Sequence, residues 1–191
     1  MVNMKRLFFL LAVLCASMGS MAQERVIRMP ETPSRGVNIA EQEQGYWCAI
    51  EAEGGSTLME NRRNVALVGA SFVNGFRFSQ YLKVGAGLGV LYYPNSSNVR
   101  NTDGHLAMPL FLNARGNMLS ESIRHTVPYW SVNVGATLPD GFFLTPAVGL
   151  RIGEKRSAFL VGISYTFRQL KVLPGEKSGY SGAMARIGYE F

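Results

Sequence analysis

Leu82-Lys83-Val84-Gly85-Ala86-Gly87-Leu88-Gly89-Val90-Leu91-Tyr92-Tyr93 alternates with a period of two: the even positions are apolar, while Lys83, Gly85, Gly87 and Gly89 between them are charged or bare. Successive side chains of a β-strand point to opposite faces, so this stretch predicts a strand with one greasy face and one nearly empty one. The same pattern recurs along the chain. Leu106, Met108, Leu110 and Leu112 alternate toward Asn113, Arg115 and Asn117; Trp130, Val132, Val134 and Ala136 stand against Tyr129, Ser131, Asn133 and Gly135. Phe142, Leu144, Val148, Leu150 and Ile152 oppose Thr145, Ala147 and Arg151 beyond a turn at Pro139-Asp140-Gly141.

Four further segments complete the set. Phe159, Val161, Ile163, Tyr165 and Phe167 face away from Ser164, Thr166 and Arg168, and Ala183, Ala185, Ile187, Tyr189 and Phe191 away from Arg186 and Glu190. Val65 to Phe78 sets Val68, Phe72, Phe76 and Phe78 against Ser71 and Arg77, and Gly45 to Gly55 sets Tyr46, Cys48, Ile50 and Ala52 against Glu51 and Glu53. In this first strand Trp47 falls on the polar face. The reading is an all-β chain of eight antiparallel strands of about 10 to 14 residues, an even number suited to an up-and-down transmembrane barrel.

Cost decides which face points outward. An arginine turned to lipid at mid-bilayer costs about 2–4 kcal/mol, so Arg77, Arg115, Arg151, Arg168 and Arg186 belong inside with Lys83. Glu51, Glu53 and Glu190 share that parity and can pair with them, filling a packed polar lumen. The alternative is a narrow channel, in which the arginines line water. A soluble protein would have to cover eight apolar stripes, and no residues are spare for that. Tyr46, Tyr92, Trp130, Phe142, Tyr165, Tyr189 and Phe191 lie near strand ends on the outward parity, as rings at head-group level do.

The whole composition agrees. Gly is 21 of 191 residues, and mean hydropathy is only +0.06, too low for a bundle of membrane-spanning helices. No stretch beyond Gln23 reaches 18 uninterrupted apolar residues. Lys5 and Arg6, the apolar run Leu7 to Ala16, and Ser20-Met21-Ala22 predict a cleaved signal peptide over residues 1–22. Residues 23–44, with Pro30, Pro33 and Gly36, read as a flexible periplasmic leader, and 45–191 as the barrel domain. Loss of Lys5 and Arg6 takes the basic count from 19 to 17 against 13 acidic residues, a balance that favours anionic lipid head groups. Cys48 is then the one cysteine left, so no internal disulfide forms.

The sequence resembles the small outer-membrane β-barrel family of the OmpA and OmpX kind over about residues 45 to 191. The resemblance rests on Asn74-Gly75-Phe76-Arg77-Phe78 running into Leu82 to Val90, on Met108 to Asn117, and on the terminal Ala185-Arg186-Ile187-Gly188-Tyr189-Glu190-Phe191. It implies residence in the bacterial outer membrane among its lipids. It also implies that Ile187, Tyr189 and Phe191 form a C-terminal signal for the barrel-assembly machinery. Both chain ends would then face the periplasm, with outer loops at Ser56 to Asn64, Pro94 to Gly104, Pro139 to Gly141 and Leu170 to Ser178. The inner turns would be Ser79-Gln80, Ser120 to His125 and Glu154 to Arg156.

Catalytic signals are weak. His105 and His125 fall at opposite barrel ends, and no HExxH or EF-hand spacing occurs. Glu51 and Glu53 share a strand face, which suits ion pairing more than acid–base work. Gly85, Gly87 and Gly89 alternate within a strand and do not link a strand to a helix, so they form no nucleotide loop. The leading expectation is a non-enzymatic structural or surface-interaction barrel without cofactor, metal or nucleic acid. An unknown extracellular or periplasmic partner fits it. The runner-up is a lipid-modifying barrel enzyme, which needs serine, histidine and a carboxylate at one rim.

Overall fold

Eight strands follow one another in the computed structural model: β1 (Gly45–Met59), β2 (Asn64–Ser79), β3 (Leu82–Tyr93), β4 (His105–Asn117), β5 (Thr126–Leu138), β6 (Gly141–Glu154), β7 (Ser157–Leu173) and β8 (Glu176–Glu190). The structure describes residues 44–59, 64–94, 105–120, 125–138, 140–154, 157–173 and 176–191, with backbone alone at 57–59, 64, 105 and 170–178. The signal expected over 1–22, the leader expected over 23–44 apart from Gln44, and the tips of the expected loops lie outside them. Each strand pairs antiparallel with its sequence neighbour, and β8 closes on β1, so no sheet edge is left along the wall.

The stagger of that closure fixes the barrel's dimensions. From Ala49, a path across partners runs through Val73, Gly87, Phe111, Gly135, Phe143, Arg168 and Tyr180 and returns to β1 at Met59, ten residues farther along. With strands about 4.8 Å apart and about 3.3 Å of rise per residue, this tilts them roughly 40° and gives a backbone radius of roughly 8 Å. The near end is where β1 begins and β8 ends; the far end carries the β1–β2, β3–β4, β5–β6 and β7–β8 connections.

The strands run longer than the alternation suggests. β7 has 17 residues and β8 has 15, so most of the loop expected at Leu170 to Ser178 is paired strand. β1 and β2 likewise take up much of Ser56 to Asn64. Nothing in those residues forbids extension, and a partner strand stands beside each. The near-end turn after β2 is tight because the Ser79 hydroxyl accepts from the Tyr81 and Leu82 N–H groups at 3.2 and 3.1 Å.

The outward face is apolar. Ile50, Leu110, Leu112, Val148, Ile163 and Ile187 are all at least 48% exposed around the middle. Tyr46, Phe76, Phe78, Phe159, Tyr189 and Phe191 ring the near end, and Tyr92, Phe142, Tyr165 and Phe167 the far end. Along β7 the eight residue steps from Phe159 to Phe167 separate the two girdles by roughly 20 Å at this tilt, close to the apolar band of a membrane barrel. So large an exposed apolar surface is met by lipid, not water. The architecture is that of a membrane β-barrel.

Candidate functional site: the barrel lumen

Inward parity brings the charged side chains into one network. Glu190, at the end of β8, is the shared acceptor of the near half: Lys83 donates to it, Arg151 Nε lies 3.4 Å and Arg115 Nη1 3.7 Å from its oxygens. Arg115 also donates to Glu51, and Arg186 reaches both Glu51, at 3.6 Å, and Glu53, at 3.2 Å. Arg168 spans from β7 to Glu53 at 3.0 Å and is held by Thr166 Oγ1 and by the Phe143 ring, 4.6 Å from its Cζ. Arg77 is buried at the near end. These cations and carboxylates are almost wholly enclosed, where each attraction is far stronger than in water and each loss of a partner correspondingly costly.

Trp47 belongs to this network. Its ring packs under Arg115, with Cζ 5.0 Å from the centroid, and lies 5.9 Å from Lys83 Nζ. The aromatic residue that looks misplaced on the polar face of the first strand is therefore a cation platform. Tyr129 stands on the other side of Arg115 and covers two glycines of the wall. A Cβ on Gly149 would stand 2.8 Å from its ring, and one on Gly162 3.1 Å from its hydroxyl. Phe111 fills the lumen over Gly87 in the same way, 2.4 Å from where a Cβ would be.

The far half is different, and it corrects the expectation of a uniformly polar interior. Val65, Leu67, Leu91, Tyr93, Ala107, Tyr180 and Met184 form one buried apolar cluster there. All but two are aliphatic or small, and the two tyrosines bond to each other, hydroxyl to hydroxyl, at 2.6 Å. Between the halves, Asn113 donates to Asn133 at 2.5 Å and the Thr145 and Thr166 hydroxyls meet at 2.8 Å. The inward residues of β2, β3, β4 and β8 turn from charged to apolar toward the far end. With a ten-residue stagger, those ends gather at one height.

Other residues singled out in the sequence lie apart. Ile187, Tyr189 and Phe191 face outward on β8, and Tyr189 bonds Ser157 across the β7–β8 pair at 2.5 Å. The Phe191 backbone pairs with Cys48, so the chain's last residue is stitched into the closing seam, and Cys48 is buried there despite its outward parity. His105 opens β4 at the far end and His125 is exposed at the near end, its carbonyl bonded to the Gly153 N–H. Among the described residues no group of three or more metal-binding side chains occurs.

Eight strands, antiparallel order throughout and closure of β8 on β1 are shared with a solved membrane protein. Neisserial surface protein A is similar at a TM-score of 0.53 and 13% identity, over 77% of this chain and 97% of that one. The fold is that of the small outer-membrane barrels. The N-terminal β-barrel domain of Pseudomonas aeruginosa OprF is also similar, with TM-score 0.44, 17% identity, and coverage of 76% and 97%. No family model matches the chain, and no curated protein matches it in sequence. Within this fold the lumen is charged and cation-rich at one end and carries an apolar cluster at the other, where Arg168 stands beside Tyr180.

Proposed function

We propose that this chain is an integral protein of the bacterial outer membrane that acts as a non-enzymatic, non-conducting barrel with a structural or surface-interaction role. The observation that carries the reading is the two-layered lumen. A charged network and an apolar cluster, stacked along the axis, leave the arginines paired with glutamates where a channel would have them line water. In this reading residues 1–22 direct export, the near end faces the periplasm, and Ile187, Tyr189 and Phe191 are recognised by the assembly machinery. Lipid is the constant partner of the outward face.

Fractionation and conductance test it together. The protein should partition with the outer membrane, migrate differently in heated and unheated detergent samples, and give no discrete current steps in planar bilayers. Stable steps of ion conductance would replace this reading with that of a narrow channel, and recovery as a soluble periplasmic protein would remove its membrane basis.

A further inference from the structure

The charges of the lumen are divided among the strands by sign. β2 to β7 bring Arg77, Lys83, Arg115, Arg151 and Arg168 to the interior, and the one carboxylate in those strands is Glu154, the last residue of β6. Three of the cations stand in one row, Arg77 opposite Lys83 and Lys83 opposite Arg115. Like charges directly opposite in a ladder are unfavourable. Asp140 is buried too, but in the β5–β6 turn at the far end. Glu51 and Glu53 stand on β1 and Glu190 on β8, the two strands that meet only when the barrel closes.

Within their own hairpins the charges of these two strands lie opposite uncharged residues. Glu51 faces Ser71 and Glu53 faces Gly69 in the β1–β2 ladder, while Glu190 faces Ala158 and Arg186 faces Gly162 in the β7–β8 ladder. Closure gives each of them a counter-charge. Glu53 and Arg186 become direct partners across the seam, 3.2 Å apart, and Arg186 comes within 3.6 Å of Glu51. Arg168 reaches from β7 to Glu53 at 3.0 Å. Glu190 takes Lys83 from β3 and Arg151 from β6, and Glu51 takes Arg115 from β4. None of these pairs joins strands that are neighbours in the open sheet.

An open sheet leaves its cations in water, whereas a closed one buries them, and a buried cation that loses its counter-charge is strongly destabilising. A seam that slips by two residues, the smallest step that keeps side-chain parity, carries the carboxylates away from their cations. We propose that the network is a closure latch: the inner face of β2–β7 is a cationic surface whose neutralising carboxylates arrive with β1 and β8, so that cations on distant strands hold the β1–β8 seam shut and in register.

A latch acts at a distance, and that separates it from local support. In the full mature chain, folded in detergent, amide hydrogen exchange is followed strand by strand. Arg115→Met on β4 and Lys83→Met on β3 each remove a cation and keep an unbranched apolar stem. Either variant should quicken exchange at the β1–β8 pairs, from Ala49–Glu190 to Met59–Tyr180, by about tenfold or more. The β3–β4 ladder, which carries both substituted positions, should exchange at its native rate or more slowly, because a repulsion across it is gone. Exchange that rises most within β3–β4, that rises equally around the barrel, or that does not rise at the seam would each overturn the proposal.

Discussion

The two halves of the lumen fill the same cylinder by opposite means. Near the chain ends, Lys83, Arg115, Arg151 and Arg186 share Glu51, Glu53 and Glu190, and the wall is kept together by attraction between enclosed charges. At the far end Leu67, Leu91, Met184 and their neighbours fill the same cross-section mainly by apolar contact, with the Tyr93–Tyr180 hydroxyl bond and Arg168, opposite Tyr180 in the ladder, as the polar members. The difference teaches where each kind of core is vulnerable. A charge network fails when one member is removed, because the others stay buried without their partner. An apolar core fails in proportion to the volume it loses.

The largest effect should therefore come from Glu190→Ala, which takes the carboxylate from Lys83 and one partner each from Arg115 and Arg151 at once. We expect a loss of about 3–5 kcal/mol, read as a lowered urea midpoint for unfolding of the barrel from lipid vesicles. Leu67→Ala in the far cluster should cost about 2–5 kcal/mol, according to how far the cluster relaxes around the missing atoms. The double variant sharpens the comparison. If the halves are independent, the two losses add within about 0.5 kcal/mol, whereas a marked shortfall in the summed loss would mean that network and cluster fold as one unit. Tyr93→Phe, which deletes one hydroxyl of the Tyr93–Tyr180 bond and leaves the ring in place, should cost about 1 kcal/mol in the same assay.

Much of this fold is legible in the sequence because the side-chain period of a strand is local. Leu82 to Tyr93 declares its two faces within twelve residues, and eight such segments with turn residues between them suffice for an antiparallel barrel. What depends on stagger is not legible. Parity groups Lys83, Arg115, Arg151 and Glu190 on the inside, but only the ten-residue offset around the barrel puts them at one height. The same offset gathers Val65, Leu91, Ala107 and Tyr180 from four strands into the far cluster, a layer that no single segment announces.

Strand ends are a second blind spot. Gly, Ser and Lys around 170–178 read as a loop, yet pairs such as Leu170 with Ser178 continue the β7–β8 ladder. Trp47 is a third. In one strand it breaks the alternation, and its place becomes intelligible only when Arg115 arrives from β4 to stack on it. Nothing local in the sequence says which cation it meets.

The chain's two tryptophans give the most direct test of the central claim, that one face of every strand meets lipid while the other lines a closed interior. Trp47 is 3% exposed inside the lumen, and Trp130 is half-buried on the outward face of β5. With Trp47→Phe and Trp130→Phe each leaving a single reporter, fluorescence is measured in vesicles of lipids brominated along the acyl chain. Trp130 should be strongly quenched and Trp47 little; equal quenching of both, or quenching of Trp47 alone, would overturn this assignment of the two faces.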